Sequence, residues 1–228
     1  MLPFLNPMLI GSGIIAKPGS VVARGLSFNN FWIVPLGVTS ICVCLISAGG
    51  NYRNSDDGQS SGGGGGGGLV YANNIPVTPG ERLDLAGNTI AGVRLSRGGT
   101  LLLGVSAGTD QPGTGTNGSL NAPGGLILAA STITARTAFQ GGSGRRWNGA
   151  TRGGGGGAPS YSGNGSSGSS NSNTNGAARS LNGNGSNLNL CGAGTGLSPS
   201  FGGNPNRVGG IRIIWGEGRS YPSNALDV

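Results

Sequence analysis

The chain has 228 residues, 51 of them Gly and 12 Pro; only 9% are charged, His is absent, and the formal net charge is +7. So much Gly and Pro ordinarily marks disorder, but several tight apolar clusters and a near-neutral mean hydropathy read instead as built structure that uses glycine as a component. With no His, seven acids and no acidic pair in an apolar setting, general acid–base catalysis and Ser-centred hydrolysis lack candidates, so a non-enzymatic protein without a cofactor is expected.

Residues 1–27 form an apolar leader that opens Met1-Leu-Pro-Phe-Leu-Asn-Pro-Met-Leu-Ile10. It has no basic flank and is bent by Pro3 and Pro7, which argues against a secretory signal. Left bare, such a segment would be costly, so Phe4, Leu5, Met8, Leu9 and Ile10 are expected to dock on the chain's own domain or on a partner. Phe31 to Ala48 is long enough for a membrane helix. Pro35 and Gly37 interrupt it, however, and Val34, Val38, Thr39, Ile41, Val43 and Ile46 favour strand, so no membrane insertion is expected.

A β-structured domain is expected over 28–139. Its first pieces are Phe31–Val34, a turn at Pro35-Leu36-Gly37, and Val38–Ile46, read together as a strand pair with Trp32 and Val38 in the core. In the second strand Cys42, Cys44 and Ile46 share one face while Ile41, Val43 and Leu45 share the other. Both faces are apolar, so the strand should be central and buried. Two residues apart on one face, Cys42 and Cys44 are poorly placed to bridge each other; they read as small buried hydrophobes, and a bridge from either to Cys191 stays open. Further strands are expected at Leu69–Tyr71, Ile75–Gly80, Glu81–Leu85, Val93–Leu95, Thr100–Val105 and Leu126–Thr137. No segment keeps a helical period, which predicts an irregular all-β fold. Asp56-Asp57 and Asp110 read as solvated loop residues without the spacing of an EF-hand, and no metal site is expected.

Residues 140–207 are rich in Gly, Ser and Asn and read as distal loops with little to bury. Arg145, Arg146, Trp147, Arg152 and Tyr161 are the ligand-contact candidates, because arginine forks and aromatic faces suit sugars and anionic surface polymers. The plainer reading has Trp147 capping a glycine layer and the arginines solvated. Elsewhere the arginines are dispersed, at Arg24, Arg53, Arg82, Arg94, Arg97, Arg136 and Arg179, whereas nucleic-acid binders gather basic residues on one face; no nucleic-acid partner is expected. Residues 208–228 close the chain with a strand that puts Ile211, Ile213 and Trp215 on one face and should pair back near residues 31–46. The pure runs Gly62–Gly68 and Gly153–Gly157 can pack side by side as threefold polyproline II-type helices that exchange backbone hydrogen bonds, so the expected architecture is a β-sandwich-like base with packed polyglycine II excursions.

Three segments carry a resemblance: Phe31-Trp-Ile-Val-Pro-Leu-Gly-Val-Thr-Ser-Ile41, the glycine run followed by Asn73-Asn-Ile-Pro-Val-Thr-Pro-Gly80, and Gly209-Gly-Ile-Arg-Ile-Ile-Trp-Gly-Glu-Gly-Arg-Ser-Tyr-Pro-Ser223. Together they frame residues 28–223, and the chain resembles the glycine-rich virion proteins of tailed bacteriophages, of the T-even-like tail-fibre adhesin and cyanophage structural type. The resemblance implies a β-structured base formed by both ends of the domain, distal glycine-rich loops, and a place on the virion among fibre, tail or capsid proteins. In adhesin members the loops touch a host surface polysaccharide or outer-membrane protein. A capsid or tail decoration protein of the same family, a homo-oligomer, and a membrane or cell-surface protein are the alternatives. The middle of the chain departs from the adhesin pattern, since Ser160–Asn189 is only loosely like the alternating glycine motifs and variable segments of those proteins.

Overall fold

The computed structural model describes residues 16–51, 62–110, 124–129, 131–145, 153–169, 174–183, 190–194 and 207–225. These form eleven strands, and among them there is no α-helix. Glycine and proline interrupt most of the chain, while β-branched and apolar residues concentrate in short runs, so composition favours an all-β fold.

Strands β1 (Gly19–Gly25), β3 (Ser40–Ile46), β4 (Leu69–Pro76), β8 (Thr137–Phe139) and β11 (Gly209–Trp215) make a five-stranded sheet in the order β1-β11-β3-β4-β8. Strands β2 (Ser27–Ile33), β5 (Arg82–Asn88), β6 (Gly92–Arg97) and β7 (Thr100–Val105) make a four-stranded sheet in chain order, and β9 (Arg179–Ser180) pairs with β10 (Leu190–Cys191) as a small ribbon. Neither larger sheet closes into a barrel. One apolar core lies between them, with Ile41, Val43, Leu45, Ile211 and Ile213 from the first and Leu83, Leu85, Val93, Leu95 and Leu103 from the second. Trp32 and Trp215 pack against it with ring centroids 5.3 Å apart.

A second core sits on the opposite face of the five-stranded sheet. Cys42, Cys44, Ile46 and Ile214 meet Tyr161, Leu181, Cys191, Tyr221 and Ala225 there. Strand β3 is therefore buried on both faces, as its doubly apolar alternation predicts, and β11 pairs beside it in antiparallel register, Ile213 opposite Val43. The three cysteines are buried free thiols.

Several expectations are corrected. The segment Phe31–Val34 does not pair with Val38–Ile46: β2 pairs with β5, Trp32 opposite Leu83, and the Val34 N–H donates to the Glu81 carbonyl at 2.8 Å. The turn after Val34 carries the chain across the core from one sheet to the other, which places both Trp32 and Ile41 inward. Leu126–Thr137 is no continuous strand either. It follows the β7 edge with the Ser106 N–H on the Leu126 carbonyl (2.7 Å) and the Ile133 N–H on the Leu102 carbonyl (3.0 Å), but a turn closed by the Ser131 N–H on the Leu128 carbonyl (3.1 Å) interrupts it. The run still covers an edge that would otherwise invite pairing. In the leader, residues 19–25 are strand β1, part of the main sheet; residues 1–15, with Phe4, Leu5, Met8, Leu9 and Ile10, lie outside the described residues.

At one end of the five-stranded sheet the strands run directly into the glycine segments. There the spacing of backbone hydrogen bonds changes from the two-residue step of a β ladder to three. Gly50 and Ser47 donate to Gly65 and Gly68; Gly63 and Gly66 to Arg145 and Gly142; Arg145 and Gly142 to Gly154 and Gly157; Gly154 and Gly157 to Ser169 and Ser166. Within one run, Gly65, Gly66 and Gly67 donate to Thr109, Gly142 and Gly192, which belong to three different neighbouring segments. A Cβ built on Gly63 or Gly66 would lie 2.2 or 2.1 Å from the carbonyl oxygens of Gly154 or Gly157. No side chain fits between chains so close, which is why the sequence supplies glycine there in unbroken runs.

Candidate functional site

Of the expected contact residues, Arg145 is exposed at the end of the glycine layer. Its backbone is held on both sides, the carbonyl accepting from the Gly63 N–H and the N–H donating to Gly154, each at 2.9 Å. Arg146, Trp147 and Arg152 lie outside the described residues. Tyr161 is not a surface residue: it is 4% exposed, stacks on Tyr221 with centroids 6.1 Å apart, and donates its hydroxyl to the Ser180 carbonyl at 2.7 Å. Its aromatic face is used by the second core and presents nothing to a ligand. The expectation that residues 140–207 have little to bury fails for the same reason, since Tyr161, Leu181 and Cys191 seal one face of the main sheet.

That sealed face also carries polar groups. The Cys44 thiol lies 3.2 Å from the Tyr161 hydroxyl, and the Tyr221 hydroxyl donates to the Leu181 carbonyl at 3.0 Å. Burial pushes Cys44 up to about 12, with the Tyr161 hydrogen bond opposing the shift. Cys191 is also pushed up to about 12 by burial, against the pull of the Arg24 guanidinium, and burial likewise raises Tyr161 and Tyr221. At neutral pH these groups are protonated, so they serve as packing and hydrogen-bonding groups and not as nucleophiles. Two arginines bind the closing segment to the sheet. Arg212, fully buried, donates to the Ala225 carbonyl, and Arg219 donates to the carbonyls of Gly19, Trp215 and Ala225. Neither role has a signature in the sequence beyond an arginine placed inside or just after an apolar strand.

A cleft of about 630 Å³ opens at the end of the sheet remote from the glycine layer, lined among others by Ser40, Cys42, Asn74, Trp215, Glu217 and Arg219. Its size is that of a small-molecule site. A register shift between Ile41 and Val43 sets β4 against β3 there, and Asn74 takes a left-handed backbone, φ 57°. Desolvation raises the Cys42 thiol, and its Sγ donates to the Arg219 carbonyl at 3.4 Å, so this thiol is not activated as a nucleophile. Among the described residues no cluster of His, Cys, Asp or Glu could hold a metal ion, and no helix is long and apolar enough to cross a membrane; Phe31–Ala48 is the end of β2, a crossing turn and β3.

No protein-family model matches the chain, and neither does any curated protein.

Proposed function

We propose that the chain is a structural protein of a tailed-phage virion, a tail-fibre or tail-tip adhesin in which a β-sandwich-like base carries a tip of packed polyglycine II helices. The observation that carries this reading is the three-residue spacing of hydrogen bonds between glycine segments, with consecutive glycines serving different neighbours. Polyglycine in the polyproline II geometry has three residues per turn and no internal hydrogen bonds, so its N–H and C=O groups must pair sideways. A tip of that kind needs almost no apolar core and can hold exposed connecting loops at fixed positions. Segments 163–169 and 174–179 belong to this layer and its rim, where Asn164, Ser167, Thr174 and Asn175 are exposed or half-exposed. They are the surface offered to a host polysaccharide or outer-membrane protein.

A second reading, a decoration protein that binds neighbouring capsid or tail subunits, is favoured by one observation. Val22, Leu26, Phe31, Ile33 and Leu36 are exposed large apolar side chains within one stretch of chain, with Phe31 at 57% and Leu36 at 69%. Concentration of that kind marks a contact surface. Immunogold labelling of intact particles with an antibody against residues 162–179 separates the readings. Gold at fibre or tail tips supports the adhesin, gold over the capsid or along the tail supports decoration, and particles that carry no label overturn virion membership.

A further inference from the structure

The cleft at the end of the sheet remote from the glycine layer has walls that are fixed from below. Cys42, on its floor, donates its Sγ hydrogen to the Arg219 carbonyl at 3.4 Å and is hydrogen-bonded by the Asn74 backbone. One buried thiol thus joins β3 both to β4 and to the closing segment. Beside it the Asn73 Nδ2 donates to the Tyr221 carbonyl at 2.8 Å, and the Asn73 Oδ1 accepts from the Tyr221 N–H at 2.9 Å. Ile41 faces Ile75 and Val43 faces Ala72, so β4 has one residue more than β3 between these pairs, a bulge at Asn73-Asn74. The bulge divides the labour of the two asparagines. Asn73 holds the closing segment, while Asn74, at its left-handed φ of 57°, lines the cleft; a non-glycine residue kept in that conformation is a common feature of ligand sites.

Polar side chains converge on the space so framed. Ser40 has the parity of Cys42, and alternation sends both to the same face of β3. Glu217 stands at the tip of a turn closed by the Arg219 N–H on the Gly216 carbonyl at 3.4 Å, and Gly216 and Gly218, with φ of 124° and 72°, bend the chain on either side of it. Thr39, Ser40, Asn74 and Glu217 all line the cleft and are exposed, and their side chains make no hydrogen bond or ion pair with any described residue. Arg219 does not neutralise Glu217, because its guanidinium is directed at the carbonyls of Gly19, Trp215 and Ala225. Two hydroxyls and an amide, each able to donate and accept, and a carboxylate that accepts, match the hydroxyl groups of a sugar ring. Half-buried Trp215 adds an apolar wall. An acidic sugar would bring a like charge to Glu217.

From this convergence we infer that the cleft binds a neutral sugar, a hexose unit whose hydroxyls are held by Thr39, Ser40, Asn74 and Glu217. The inference does not rest on the proposed function, since the cleft and the glycine layer lie at opposite ends of the main sheet.

The test titrates the full chain, labelled with 15N, with the methyl glycosides of glucose, galactose and mannose and with galacturonate, up to about 50 mM, well above a millimolar Kd. At least one neutral glycoside should shift the backbone amides of Ser40, Asn74 and Glu217 to saturation, and galacturonate should bind at least about fivefold more weakly. Asn74→Gly/Glu217→Ala, which removes both side chains and suits the left-handed backbone at 74, should weaken the neutral glycoside by about fivefold or more. Arg94→Gln/Ser96→Ala, on the four-stranded sheet, should keep its affinity within about twofold. Glu217→Gln should narrow the gap between galacturonate and the neutral sugar. Should the spectrum of the double variant show a lost fold, Glu217→Ala alone, in an exposed turn, serves instead, with a loss of about threefold or more expected. Absence of saturable shifts with all three neutral glycosides would overturn the inference, as would native binding of galacturonate just as tight, or unchanged binding in the double variant. Shifts confined to residues 163–169 and 174–179 would overturn it too, while leaving the proposed function standing.

Discussion

The apolar core between the sheets and the glycine layer at their end solve one problem by opposite means. In the core, side chains such as Leu45, Leu103 and Ile213 fill the space between two backbones and are fully buried; stability comes from area removed from water. In the glycine runs of the layer there are no side chains and the backbones touch, so stability comes from satisfying N–H and C=O groups that would otherwise be buried without partners. The first region tolerates a change of side-chain shape. The second tolerates no side chain at its closest approaches, Gly63, Gly66 and Gly156 among them.

Substitutions that shrink or enlarge a residue should therefore divide the two regions. Leu45→Ala, in the doubly buried strand, should cost about 2–5 kcal/mol by denaturant unfolding, from lost transfer energy plus the cavity left behind. Gly156→Ala, which adds a single methyl, should cost nearly as much, about 3 kcal/mol, because its Cβ would stand 2.0 Å from the Gly142 carbonyl oxygen and the layer must part to admit it. An alanine at Gly80, where nothing lies within 4 Å and only the left-handed φ of 81° is strained, should cost about 1 kcal/mol. A glycine layer that accepts alanine as readily as Gly80 does would be loosely packed, and the contrast would fail.

The thiols and phenols of the second core sharpen the comparison through pH, since the runs Gly62–Gly68 and Gly153–Gly157 carry no titratable side chain. Below the ordinary thiol value of 9.0, Cys44 and Cys191 are protonated in both folded and unfolded chains; above it the unfolded chain loses protons first, because the folded values lie at about 12. Stability contributed by these groups is thus full below pH 9.0 and declines as the pH rises towards about 12. Tyr161 and Tyr221 extend the loss above their ordinary value of 10.0. Melting temperature followed from pH 7 to 12 should be level and then fall, and Cys44→Ala should blunt the fall. Tyr161→Phe, which removes the donor to the Ser180 carbonyl, should cost as little as the alanine at Gly80, about 1 kcal/mol, with no change in any surface binding.

How much of this is legible in the sequence follows the same division. Strand β3 is readable because its alternation is apolar on both faces, and β11 because Ile211, Ile213 and Trp215 share a parity that only pairing can use. The glycine layer is readable as a need for close approach, but not in its neighbours: nothing in Gly65-Gly66-Gly67 says that they serve residues 109, 142 and 192. Tyr161 misleads because a tyrosine in a Gly/Ser tract looks exposed, whereas the tract folds back and spends that ring on the sheet beneath. Phe31–Val34 misleads because a turn between two strands is the same in sequence whether it closes a hairpin or crosses between layers.

Amide hydrogen exchange, resolved by residue, tests the central claim most directly. The backbone N–H groups of Gly63–Gly67 and Gly154–Gly157 should exchange through the same global opening as those of Ile41–Ile46, with protection of the same order. Exchange at the rate of an unstructured chain in the glycine runs, while β3 remains protected, would contradict a layer held by its own backbone and leave those runs as loops at the end of a sheet.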